Sequence, residues 1–164
     1  MAGELFRTAV SAVTIAVFAS RVLLTEEPGS FDAKQLFEYG QRCLIEGKNV
    51  EAGRTFDRLL NMGLRTAPVY TNLGVAYLRS GKFDRAVEML TRAEQLAPGT
   101  AGVELNLGLA YYRQREFKQA VPYFAAVLTA DPENIQARYL EGVCHFMMDD
   151  FGAAVNTLAP LQGR

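Results

Sequence analysis

Residues 67–100 read APVYTNLGVAYLRSGKFDRAVEMLTRAEQLAPGT, and residues 101–134 read AGVELNLGLAYYRQREFKQAVPYFAAVLTADPEN. Aligned, the two stretches share Leu73-Gly74-x-x-Tyr77 with Leu107-Gly108-x-x-Tyr111, Ala86 with Ala120, Leu90 with Phe124, and Pro98 with Pro132. The pattern extends in both directions. Gly40, Gly74, Gly108 and Gly142 follow one another at intervals of 34 residues. Twelve residues after each stands an alanine (Ala52, Ala86, Ala120, Ala154), and four further on a large apolar residue (Phe56, Leu90, Phe124, Leu158). A fixed period of this length is the mark of a repeat array.

Each unit divides into two helical stretches, as at 67–80 and 83–96, joined by Gly81-Lys82. Helices this short are unstable alone. Gly74 and Ala86 are small enough for the two backbones to approach closely, while Leu73, Tyr77, Leu90 and Ala93 fill the seam. Full burial of a Leu or Phe contributes ~1.5–3 kcal/mol, and that burial is complete only when a neighbouring unit covers the side chain. Asp84, Pro98-Gly99 and 131–134 (DPEN) supply turn and capping chemistry at the joints. The Asp149-Asp150 pair falls at the turn position of Gly81-Lys82 and Arg115-Glu116, where charges are solvated.

On these residues the chain resembles the tetratricopeptide repeat family, whose 34-residue pattern is W-x2-L-G-x2-Y, then A-x3-F, then P. The resemblance implies an all-α fold, a right-handed α-solenoid of antiparallel helix pairs, here preceded by an apolar N-terminal helix. The units are 33–66, 67–100, 101–134 and 135–164, the last holding 30 of 34 positions. Departures are specific. The leading Trp is absent, Tyr39 and Glu141 replace Leu before the glycine, and Cys43 and His145 replace the Tyr.

Composition bears on what the fold does. The chain has 164 residues, 49% of them hydrophobic, with 17 Lys and Arg against 18 Asp and Glu. A net charge of −1 gives no general attraction to a phosphate backbone, so nucleic acid is not an expected partner. Two cysteines and one histidine fall short of a closed Cys/His metal site or a disulfide framework. Cys144-His145 is the one Cys/His neighbour pair, but in the repeat it occupies the packing places of Ala76-Tyr77 and Ala110-Tyr111, and Cys43 lies three units away. The expectation is two reduced, buried thiols, with no catalytic, metal or cofactor site and no enzymatic activity. No phosphate-binding loop motif occurs.

The amino end carries an uncharged apolar stretch at 8–20 (TAVSAVTIAVFAS), flanked by Arg7 and Arg21. Thirteen uncharged residues are short of the roughly 20 that span a bilayer. Residues 1–24 therefore read as a signal peptide or as an N-terminal apolar helix, followed by a linker at 25–32 that contains Pro28-Gly29. Cleavage after Ala19 would make the protein exported, periplasmic or secreted; a packed helix would leave it cytoplasmic. Membrane contact is expected only if the segment is an uncleaved anchor.

Repeat arrays of this kind expose a concave face, which in the resembled family is built mostly from the first helix of each unit. That implies a groove lined in the first unit by Phe37 and Gln41, and in the second by Asn72, Val75 and Arg79. Asn106, Leu109, Tyr112 and Arg113 follow in the third, with Tyr139 and Phe146 in the fourth. Family members that grip a peptide carboxyl terminus carry Lys and Asn where Phe37 and Gln41 stand, so that mode is not expected. The reading is a non-enzymatic interaction scaffold that binds a peptide or partner helix. Its alternatives are an exported or membrane-associated assembly factor, or the regulatory front part of a larger protein. Pro160 interrupts the last helix, and Tyr139, Phe146, Phe151 and Leu158 should form an uncapped apolar edge able to self-associate.

Overall fold

The computed structural model describes residues 32–162. The expected signal or helix at 1–24, and the linker up to residue 31, lie outside the described residues. Among the described residues there are eight α-helices and no strand: α1 (Ala33–Ile45), α2 (Asn49–Asn61), α3 (Ala67–Arg79), α4 (Phe83–Leu96), α5 (Ala101–Arg113), α6 (Phe117–Ala130), α7 (Ile135–Met147) and α8 (Phe151–Leu158). A 3-10 turn at Ala159–Leu161 follows where Pro160 ends the last helix. First helices begin at Ala33, Ala67, Ala101 and Ile135, second helices at Asn49, Phe83, Phe117 and Phe151, so both series advance by 34 residues.

Three residues join the helices within each pair, and the middle one turns the chain the same way each time. Gly47, Gly81, Arg115 and Asp149 have φ of 74°, 75°, 66° and 61°. This left-handed residue lets the following N–H reach back to a carbonyl near the end of the first helix. Lys82 N–H donates to the Tyr77 carbonyl at 2.9 Å, Glu116 to Tyr111 at 2.9 Å and Asp150 to His145 at 3.0 Å. Carbonyls otherwise orphaned at a helix end are thereby satisfied. Asn134 and Asp150 then cap α7 and α8, accepting from the N–H of Ala137 and Ala153.

Within each pair the repeat glycine brings the helices together. A Cβ on Gly74 would stand 2.6 Å from Leu90 Cγ, and one on Gly40 2.7 Å from Phe56 Cζ, distances no side chain could occupy. Phe56, Leu90 and Phe124 are wholly buried, as are Ala52, Ala86 and Ala120 beside them. Between pairs, each second helix packs on the next first helix, and α1, α3, α5 and α7 also touch in series. The core is therefore a chain of three clusters, each joining the second helix of one pair to the first helix of the next. This is a tetratricopeptide-type helical solenoid, with the first helices side by side along one face.

The predicted apolar edge is present with one correction. Tyr139, Phe146 and Phe151 are 56%, 57% and 55% exposed. Leu158 is half-buried instead, because it lies over Gly142 as Leu90 lies over Gly74.

Candidate peptide groove

Gln41, Leu44 and Ile45 from α1 meet Asn72 and Arg79 from α3 around a cleft of about 420 Å³. A second cleft, also about 420 Å³, lies between α3 and α5, lined by Pro68, Thr71 and Asn72 on one side and Gly102, Val103 and Asn106 on the other. Asn72 belongs to both. Its carboxamide donates one N–H to the Pro68 carbonyl at 2.9 Å, and Asn106 does the same to Gly102 at 2.6 Å. Each amide is thus held against its own helix while keeping its oxygen and second N–H for another partner. Ala97 and Thr100, in the joint after α4, also line the second cleft. Counting first-helix positions alone misses them; the signal that the chain returns here is Pro98-Gly99, with Gly99 at φ 71°.

The other residues read as groove lining have different surroundings. Phe37 is half-buried and meets the Phe56 ring edge-on, centroids 5.7 Å apart. Val75 packs on the first core cluster, and Leu109 on the second and third. Tyr112 is half-buried beside Phe117, with ring centroids 5.8 Å apart. Arg79, which does line the first cleft, is held there by a bond from its Nη1 to the Leu44 carbonyl at 2.8 Å, tying the second unit to the end of α1. Arg113, its counterpart one repeat on, is exposed and makes no such bond. Tyr139 and Phe146 lie beyond both clefts, and Phe146 contacts Phe151 edge-on at 5.6 Å.

Among the described residues, Cys144 and His145 are not arranged as a nucleophile and its base. Cys144 is fully buried, and burial, with a lesser contribution from the Glu141 charge, pushes its thiol up to about 11. It therefore stays a protonated thiol at neutral pH, unlike an activated nucleophile. His145 Nδ1 is 3.8 Å from Asp150 Oδ2, and that buried nitrogen has no hydrogen-bond partner. Cys43 is also buried and free, in a different core cluster from Cys144. Among the described residues no group of His, Cys, Asp and Glu is placed to hold a metal ion, and no helix is long and apolar enough to cross a membrane.

Repeated helix pairs and an open face of first helices define the class: a helical-repeat scaffold for protein interaction, a fold generally without enzymatic activity. The tetratricopeptide repeat family model matches three overlapping stretches, 46–101, 71–135 and 105–159, and the chain belongs to that family. Among solved structures it is similar to MamA. The one described as MamA MSR-1 C2 is 27% identical, with a TM-score of 0.71 over 77% of this chain and 73% of that one. MamA 41-end from Desulfovibrio magneticus RS-1, at 22% identity, has a TM-score of 0.75 over 79% of this chain and 73% of that one, a likeness of fold. No curated protein matches the chain in sequence.

Proposed function

We propose that the protein binds an extended peptide segment of a partner protein along α1, α3 and α5, without chemical turnover. The observation that carries this reading is Asn72, which lines both clefts and joins them into one path. Asn72 and Asn106 offer a peptide backbone a donor and an acceptor one repeat apart. The exposed side chains of Ile45 in the first cleft and Pro68 in the second give a peptide's side chains apolar surface, and Arg113 offers a charge to an acidic residue. Residues 8–20 support a further expectation, that the chain acts outside the cytoplasm; intact mass after expression in an export-competent bacterium tests it through loss of residues 1–19.

The groove is tested by selecting binders from a random peptide library and mapping them by amide chemical shifts. Shifts should concentrate around Asn72 and Asn106, and the double variant Asn72→Ala, Asn106→Ala should weaken the selected peptides about tenfold or more with helicity unchanged. Peptides that map to the second helices, or that bind the double variant equally well, would overturn the groove.

A further inference from the structure

Charge is unevenly placed on this nearly neutral chain. Residues 79–85 (RSGKFDR) and 113–118 (RQREFK), which span the turns inside the second and third pairs, hold six cations and two carboxylates. The joints at the other ends of the helices, 94–104 and 128–135, hold Glu94, Glu104, Asp131 and Glu133 and no Lys or Arg. The turns on either side do not share the excess. Lys48 is paired with Glu46 at 2.8 Å in the first unit, and the fourth turn carries Asp149 and Asp150.

The two basic turns meet. Gln114 Nε2 donates to Asp84 Oδ1 from one pair to the next, and a cleft of about 470 Å³ opens there, lined by Gly81, Lys82, Phe83, Asp84, Arg85 and Gln114. Half-buried Phe83 gives it an apolar wall. Lys82 Nζ and the Arg85 guanidinium each lie 5.7 Å from the Tyr77 ring, contacts that hold both cations beside the cleft. Lys82, Arg85, Arg115 and Lys118 are exposed. Among the described residues none of the four is in an ion pair, whereas Lys34, Lys48 and Arg92 each have a glutamate. Arg115 sits at φ 66° in the place that Gly47 and Gly81 fill without steric cost. Strain held at a displayed cation points to a use for the charge.

We propose that this turn edge docks an acidic segment of a partner protein, with one bulky apolar side chain against Phe83 and carboxylates on Lys82, Arg85, Arg115 and Lys118. A mixed segment fits better than a polyanion. Phe83 takes an apolar side chain as its cover, and Gln114 keeps its carboxamide oxygen for a peptide N–H. Asp84 and Glu116 stand among the cations, where an unbroken row of phosphates would meet them as like charges. The carboxylates at the joints repel an acidic segment from the far ends of the helices and steer it to the turns. The contact residues are none of those that line the groove on the first helices, and the site stands whether or not that groove binds peptide.

The probe is a labelled synthetic peptide with one leucine flanked on each side by glutamates, titrated by fluorescence anisotropy and mapped by amide chemical shifts. Shifts should fall on 81–85 and 114–118 and not around Asn72 and Asn106. Lys82→Gln together with Arg115→Gly should weaken binding about tenfold or more. The melting temperature should not fall, because glycine relieves the strained turn. The control pair Arg54→Gln, Arg65→Gln removes the same charge from exposed places off this edge and should change binding less than about twofold. Serine in place of the peptide's leucine should weaken it about fivefold or more. Undiminished binding by the Lys82→Gln, Arg115→Gly variant, an equal loss in the control pair, an all-glutamate peptide that binds as well, or shifts confined to the first helices would each overturn the proposal. So would single-stranded DNA or phosphatidylserine vesicles that bind more tightly than the peptide, which would assign the edge to phosphate. A dimer by light scattering that the same variant converts to a monomer would also overturn it, assigning the edge to the acidic joints of a second copy.

Discussion

Phe124 occupies the place where Gly108 has no side chain: a Cβ there would stand 2.7 Å from Phe124 Cε1 and 2.9 Å from Cδ1. The contact recurs as Gly40 with Phe56, Gly74 with Leu90 and Gly142 with Leu158, always sixteen residues apart. Gly108→Ala is therefore expected to destabilise by about 1–2 kcal/mol, since overpacking outweighs the helix propensity that alanine adds. Gly102, in the same helix with nothing within 4 Å of its would-be Cβ, is the control. Gly102→Ala should stabilise by about 0.5 kcal/mol. Urea unfolding of the two variants measures the difference in sign.

The turn inside each pair makes a second sign prediction. Gly47 and Gly81 take the left-handed conformation at no steric cost, whereas Arg115 and Asp149 adopt it at φ of 66° and 61° with a Cβ present. Arg115→Gly should stabilise by roughly 0.5–1 kcal/mol, with Asp149→Gly gaining less because aspartate tolerates this region better. Gly81→Ala should lose about 1 kcal/mol. Chemical denaturation reads all three.

The repeat made these turns legible before any coordinates. Arg115-Glu116 and Asp149-Asp150 align with Gly81-Lys82, and the structure gives all of them one conformation. The seam was legible for the same reason: glycine, alanine and the large apolar residue keep one spacing. Less legible were side chains whose surroundings depend on their own length and reach. Arg79 turns to the Leu44 carbonyl of the preceding unit, Phe37 leans on Phe56, and Leu158 covers Gly142 although no further unit follows among the described residues. Periodicity says which positions face a neighbour, and it says nothing of which atom a flexible side chain finds there.

Glu141 occupies the place of the buried Leu73 and Leu107, and desolvation raises its carboxyl pKa, against smaller opposing effects of His145 and Arg138. A raised acid pKa means that the folded state holds the proton longer than the unfolded one. The contribution of Glu141 to stability is therefore full below the ordinary carboxylate value of 4.5 and falls as pH rises through the folded pKa. Glu141→Gln should flatten that part of the stability profile. Glu141→Leu should add about 1 kcal/mol at pH 7 by restoring an apolar contact on the third cluster. Melting curves from pH 4 to pH 7 on the three chains check both statements.

Arg79 and Arg113 stand at equivalent repeat positions and separate structure from recognition. Arg79 holds the Leu44 carbonyl across the joint between the first two units, so Arg79→Ala should cost about 1 kcal/mol of stability, the typical net worth of such a bond, with more lost if the carbonyl stays dry. Arg113 is exposed and makes no corresponding bond. Arg113→Ala should leave unfolding within about 0.5 kcal/mol of wild type and weaken acidic peptides selected on the groove, an effect that fades as salt is raised. Titrations at low and high ionic strength beside urea curves distinguish the two. If Arg113→Ala binds those peptides as wild type does, the third unit contributes no charge to recognition, and the groove ends at Asn106.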